Sequence, residues 1–530
     1  VAIGFTIVDC VAASARAFPD RVALEVLASE RGVDPVETWT YGQIWDRVED
    51  LAAAVSPVEA GGHGPMTAIL LPNGADHVLA YLAAARAGAA AVPINNRLAG
   101  PEIDYVLADS GASVLLAGEP FLGAAIAAAA TTGTRVVDVG SIPRRSGRAG
   151  GPSGPVTGPD EAAMGLVAYT SGTTGFPKGS TVTHRALLTR FAQWGWTFGL
   201  SPDQVLSTPG PLFHLSYGGL SLAHLATGGR NRIMTGFDAG AALDEYADHS
   251  NWVFLVPSMT AMIDRAWEEA GKPPLQAVRW MLSSGAPGPM SLLDRAFDLF
   301  PRARITEAYG WTEGGWVTYE RKVRDALVPH SVGWPMVGSE ILLIDPDTAE
   351  PVEVGRPGEV AARSIVPFAG YLGQPEATAA SRLDGPAQDG FIRSGDMGIQ
   401  LPDGRLTIVD RVKDMIISGG ENVYCAEVER ILVEHPAVVE AAVVGLPDPT
   451  WGERVAASVV TLPGHAVTAA ALDAHCRERL ARYKCPRQIE LADDLPRNPM
   501  GKVQKFRLVE RMAAAGDGGP DDDGGPDGTP

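Results

Sequence analysis

From residue 38 to about 409, short apolar runs alternate with longer stretches whose apolar residues recur every three to four positions. The runs at 66–71, 112–117, 136–139 and 252–256 have the length and composition of buried strands. The stretches 41–55, 76–87 and 291–300 carry the helical period. Strand and helix taking turns along a chain predict an α/β fold class with largely parallel sheets. The first 20 residues read as an amphipathic helix closed by Phe18, Pro19 and Asp20. The pattern changes after Asp410 and Arg411. There, 422–435 reads as a strand end and a helix stopped by Pro436, 438–445 and 454–462 as two strands, and 469–481 as a helix. The expected architecture is therefore a large N-terminal α/β domain over 1–410, with sheets flanked by helices. A small α+β C-terminal domain covers 411–515, and an acidic tail covers 516–530.

Composition refines this picture in three places. The tail holds Asp517, Asp521, Asp522, Asp523 and Asp527 among Gly and Pro, with no apolar residue to bury, and reads as disordered. The formal charge of −20 over 530 residues argues against nucleic-acid binding, which needs a basic face. Cys10, Cys425, Cys476 and Cys485 show neither disulfide nor metal spacing, the usage of a reduced, cytoplasmic protein. The N-terminus lacks a signal-peptide pattern. The Ala-rich run at 78–94 is broken by Arg86 and Pro93, so no stable membrane insertion is expected.

The clearest chemical signal is the segment from Tyr169 to Gly179, directly after the apolar run 165–168. It holds Thr170, Ser171, Gly172, Thr173, Thr174 and Lys178. Closely spaced backbone N–H groups, four hydroxyls, one ammonium and glycines that admit an anion are what phosphate oxygens need. The spacing is not that of a Walker loop. This segment resembles the phosphate-binding signature of the adenylate-forming superfamily, which contains acyl-CoA synthetases, firefly-type luciferases and peptide-synthetase adenylation domains. Further segments follow in that family's order: Thr306 to Glu313, Arg393 to Asp396, Asp410 to Asp414, Ser418 to Asn422, and Pro496 to Lys502. The resemblance covers nearly the whole chain except the tail.

The resemblance implies an ATP-dependent acyl-CoA ligase. A small-molecule carboxylic acid is converted with ATP and Mg2+ to an acyl-adenylate, then transferred to coenzyme A. Glu313 takes the magnesium-ligand position, and Thr312 that of an α-phosphate contact. Thr170 to Thr174 and Lys178 would hold the other phosphates. Gly285, Ala286, Pro287 and Tyr309 would line the adenine, and Asp396 with Arg411 would hold the ribose. Lys502 corresponds to the lysine that contacts carboxylate and phosphate oxygens during adenylation, with Met500 where many relatives have Ser or Thr. Lys413 takes the hinge position of a mobile small domain, and Gly419 and Gly420 the thioester-forming loop. His214 matches a substrate-gating position, and Gly310 and Trp311 would border the acyl pocket. Glycine at 310, where acetate-specific relatives carry a bulky residue, implies a pocket open beyond acetate. Phe213 to Ser216 offers no Asp for an amino-acid ammonium. Carrier-protein loading, luciferase-like oxygenation, activation of an oxyanion such as nitrite, and an inactive nucleotide-binding protein are the competing readings. A homodimer is an open expectation, since dimers are common among such relatives.

Overall fold

The computed structural model describes residues 5–28, 33–55, 64–144, 152, 159–170, 177–286, 288–384, 388–418, 421–462, 464, 467–497 and 503–516. By their contacts the residues group into two compact units. The first comprises Val1–Arg356, Val360–Ser394 and Gln400–Thr407, the second Pro357–Glu359, Gly395–Ile399 and Ile408–Pro530. The switch falls inside the strands Pro357–Ser364, Ile392–Gln400 and Leu406–Arg411. The last crossing, at Thr407 and Ile408, lies close to the change of pattern read after Asp410 and Arg411; the earlier ones fall within continuous strands, and Asp396 groups with the second unit.

The first unit contains two sheets. In one, Met164–Thr170, Ala90–Pro93, Met66–Leu70, Val114–Ala117 and Arg135–Asp138 lie side by side in parallel. Lys178–Thr183 adds to this sheet antiparallel beyond Met164–Thr170, and the two-residue strand Gly370–Tyr371 pairs outside it. In the other, Arg304–Trp311, Trp280–Ser283, Trp252–Leu255, Val205–Thr208, Arg230–Met234 and Val22–Leu27 are parallel. The expectation of parallel sheets therefore holds at both centres. It fails at Gly315–Arg321 and Ser331–Pro335, which continue antiparallel from Arg304–Trp311.

Burial explains why these segments are strands. Met66–Leu70, Val114–Ala117 and Trp252–Leu255 are buried along their whole length, covered on both faces as parallel strands are. Tyr41–Ala54 and Ala75–Arg86 form the helices expected near them, the first capped by Thr40 and Gln43. The second unit has its own apolar core, built on Val438–Asp448, Gly452–Thr461 and helix Cys425–Val433. Helix Ala469–Arg477 ends four residues earlier than the pattern suggested, and a short 3-10 segment, Arg482–Lys484, follows. No helix among the described residues is long and apolar enough to cross a membrane.

Candidate active site

Thr170 ends its strand opposite Lys178, which begins the next, so the two ends of the phosphate-signature segment are held side by side by an antiparallel pair. The Thr170 hydroxyl donates to the Lys178 carbonyl at 3.4 Å. Just before it, the Tyr169 hydroxyl donates to Asp109 at 2.7 Å, which fixes the strand end. Ser171, Gly172, Thr173 and Thr174 lie outside the described residues, as do Pro287, Gly419, Gly420, Lys502 and the tail beyond Gly516.

The segment expected to serve the α-phosphate and the metal is a β-hairpin. Arg304–Trp311 runs into Gly315–Arg321, with a register shift between Tyr309 and Gly310. Thr312 and Glu313 sit in the turn, both half-buried. The Tyr371 hydroxyl donates to one Glu313 carboxylate oxygen at 2.8 Å, and the Lys178 ammonium stands 5.2 Å from the centre of the Tyr371 ring. Burial and the Glu313 charge both push the Tyr371 phenol up, so it stays protonated and can only donate. Lys178, Tyr371 and Glu313 thus form one chain of contacts from two strands and the hairpin turn.

Behind the turn lies Arg190, from helix His184–Phe198, with 2% of its surface exposed. Its Nη2 donates to the Thr312 carbonyl at 3.5 Å, while its Nε is buried without a partner. Burial pushes the guanidinium down to about 10, and the Glu313 charge opposes that shift. It is therefore a fixed cation at neutral pH.

Glu313 is a single accessible carboxylate, and among the described residues no three His, Cys, Asp or Glu gather as a metal cage. That donor set fits Mg2+, which takes one or two carboxylates together with substrate phosphates rather than an all-protein cage.

Other predicted residues divide by location. Gly285 and Ala286 are exposed after Trp280–Ser283, Gly285 with a φ of +96°. Tyr309 is half-buried, 6.0 Å from the Trp311 ring. His214 caps helix Leu215–Ala226, and its Nδ1 lies 2.6 Å from the Ser216 hydroxyl. The residue is exposed, yet desolvation by surrounding protein lowers its pKa. Trp316, not among the residues predicted above, is core: it packs on Trp194 at 4.6 Å and donates to Ser284.

Gly310 has a reason to be glycine that its sequence position did not reveal. A Cβ there would lie 1.8 Å from the Gly315 carbonyl oxygen, so the hairpin as this chain forms it leaves no room for a side chain at 310. In this chain the backbone of the hairpin itself requires the glycine.

In the second unit, Arg411 donates to Asp396 at 3.2 Å, the two residues expected at the ribose. Lys413 lies in the 3-10 turn Val412–Asp414, its pKa lowered first by burial. Beside it, the buried Asp410 carboxylate accepts from the amides of Arg411 at 2.7 Å and Ala426 at 3.2 Å. Desolvation nevertheless raises its pKa to about 6. Arg190, Tyr371 and Asp410 were not among the residues singled out by motif. Only Asp410 stood inside a quoted segment, and nothing in the local pattern around Arg190 or Tyr371 could have found them.

Comparison with known proteins identifies the family. The model of the AMP-binding enzymes matches residues 11–372, and that of the AMP-binding enzyme C-terminal domain matches 427–502. Feruloyl-CoA synthase from Amycolatopsis sp is 37% identical over 485 residues, spanning 89% of this chain and 94% of that protein. The long-chain-fatty-acid–CoA ligase FadD13 of Mycobacterium tuberculosis is 32% identical over 491 residues, spanning 90% and 93%. Among solved structures, ATP-bound MatB from Rhodopseudomonas palustris superposes with a TM-score of 0.83 at 26% identity, covering 96% of this chain and all of that one. The o-succinylbenzoate CoA synthetase MenE from Bacillus subtilis, in complex with its acyl-adenylate, gives 0.79 at 29% identity over 94% and 97%.

Proposed function

The chain belongs to the AMP-binding enzyme family, and from that premise we propose how its residues divide the work of an AMP-forming acid–thiol ligase. It is an ATP-dependent acyl-CoA ligase. The substrate carboxylate attacks the α-phosphorus of ATP, the bond to pyrophosphate breaks, and acyl-AMP forms. The coenzyme A thiolate then attacks the acyl carbonyl and AMP leaves. The observation that carries this activity is the likeness, across about nine tenths of the chain, to enzymes named as CoA synthases and ligases.

Adenylation concentrates negative charge around the α-phosphorus, so the catalyst must place donors and cations there in advance. Thr312 offers its hydroxyl to the α-phosphate, and Lys178 and Thr170 bound the segment that cradles the phosphates. Glu313 would hold Mg2+, which when bound neutralises phosphate charge. Tyr371 orients that carboxylate by occupying one oxygen. Tyr309, Gly285 and Ala286 line the adenine, while Asp396 accepts from the ribose hydroxyls and is itself held by Arg411. Lys502 delivers its ammonium to the reacting oxygens. Lys413 serves as the hinge, and Gly419 and Gly420 meet the thioester. His214 stands at the acid's entry.

The acid is larger than acetate. Relatives named for ferulate, 4-coumarate and long-chain fatty acids support that reading. The test is pyrophosphate release with ATP and Mg2+ over a panel of aryl, medium-chain and long-chain acids, amino acids and nitrite, with and without coenzyme A. Turnover that needs coenzyme A, with a thioester in the mass spectrum, is expected. Release indifferent to coenzyme A would move the activity to another acceptor. Lys502→Ala should lose adenylation by about 100-fold or more, and unchanged pyrophosphate exchange in that variant would refute the role given to Lys502.

A further inference from the structure

Arg190 costs the fold something that its own helix does not need. Its neighbours Ala186, Leu187, Phe191 and Trp194 are buried and mostly apolar, and a Leu or Met at 190 would continue that face. Instead a guanidinium is buried, in no ion pair among the described residues, with one long bond to the Thr312 carbonyl and an unpartnered Nε. A buried cation so poorly compensated is expensive, and each such group calls for a reason. Its placement supplies one. Nε, Cζ and Nη2 lie 3.2–3.3 Å from where a Cβ on Gly315 would stand, so the planar group lies against the turn that presents Thr312 and Glu313. Gly315, at φ +71°, both makes that turn and leaves room for the guanidinium. The charged and titratable groups facing Glu313 are Arg190 from beneath, the Tyr371 hydroxyl from the Gly370–Tyr371 strand, and Lys178 behind the Tyr371 ring.

We propose that Arg190 is a positioning residue for adenylation: it clamps the 312–315 turn from below and keeps Thr312 and Glu313 directed at the nucleotide phosphates. The inference rests on the reading that Thr312 and Glu313 serve those phosphates and their metal. A lysine would keep the charge but lose the flat fork that reaches the Thr312 carbonyl while lying against Gly315.

The experiment compares Arg190→Met and Arg190→Lys in each half-reaction: pyrophosphate exchange for adenylation, and thioester formation from preformed acyl-adenylate. In Arg190→Met, exchange kcat should fall about 10- to 100-fold, the usual loss when a group orienting a site residue is removed. KM for the acid and thioester formation should change by less than about twofold. Arg190→Lys, which keeps the charge, should recover part of the kcat. Should Arg190→Met not fold, as judged by thermal denaturation, the half-reaction split in Arg190→Lys decides. Equal losses in both half-reactions, or loss in neither, overturn the proposal. Glu313→Gln separates the two readings. If that variant adenylates normally, the role of Glu313 has failed. If it is inactive while both Arg190 variants are normal, only the present inference has.

Discussion

The Glu313 carboxylate illustrates how a site residue is made from its surroundings. One oxygen is occupied by Tyr371, whose raised pKa makes it a dependable donor, and Arg190 supplies positive potential from beneath. Asp410 shows the opposite situation. Two amides hold it, yet burial outweighs them and lifts its pKa to about 6 from the ordinary 3.8. The sign follows directly. A carboxyl whose pKa is raised on folding contributes stability that is fully present below the unfolded pKa and disappears as pH rises through the folded value. Wild-type protein should therefore lose of order 2 kcal/mol from this group between pH 4 and 7.5. Asp410→Asn should lack that component, so urea titrations of the two proteins should converge toward acid and diverge toward neutrality. Parallel curves across the range would show that Asp410 titrates normally.

Among the elements, the hairpin Arg304–Trp311 and Gly315–Arg321 decides most about the site. It turns a parallel sheet antiparallel at the point where chemistry is needed, and its bulge aims the turn carrying Thr312 and Glu313. Gly310 is the least replaceable residue in it. A methyl group there meets backbone rather than a side chain that could swing aside. Gly310→Ala should destabilise the protein by about 3 kcal/mol, at the upper end of ordinary overpacking. Equilibrium unfolding in urea checks this, and a loss below about 0.5 kcal/mol would mean the hairpin opens freely. The strands and helices themselves were legible because burial on two faces or one leaves a readable pattern. The antiparallel pairing was not, since apolar strands carry no mark of direction.

For the molecule as a whole, charge is the informative quantity. The tail supplies only five of the carboxylates behind the formal −20, so a strongly acidic protein must bind polyanionic substrates with or without it. Local cations such as Lys178 and Arg190 then matter more than any overall field, which salt screens beyond about 10 Å at 0.1 M. Residues 517–530 contain no side chain suited to a core. Their deletion should leave the melting temperature within about one degree and kcat unchanged, since substitutions away from packed features usually stay within about 0.5 kcal/mol. A melting temperature several degrees lower would reveal a docked tail.

The sequence by itself determined the family, the α/β alternation and the order of the functional segments. Backbone loops that admit phosphate, and strands buried on both faces, demand particular residues at particular spacings. Tertiary structure alone decided which side chains meet. Tyr371 reaches Glu313 across 58 residues only because Gly370–Tyr371 pairs with Lys178–Thr183. Arg190 reaches Thr312 across 122 because one face of its helix lies under the hairpin. Asp396 comes to Arg411 by joining the second unit within a continuous strand. Gly310, which reads in sequence as an open pocket wall, is required by the approach of another strand's backbone. Such contacts depend on the packing of distant elements, and a local pattern of apolar and polar residues does not encode them.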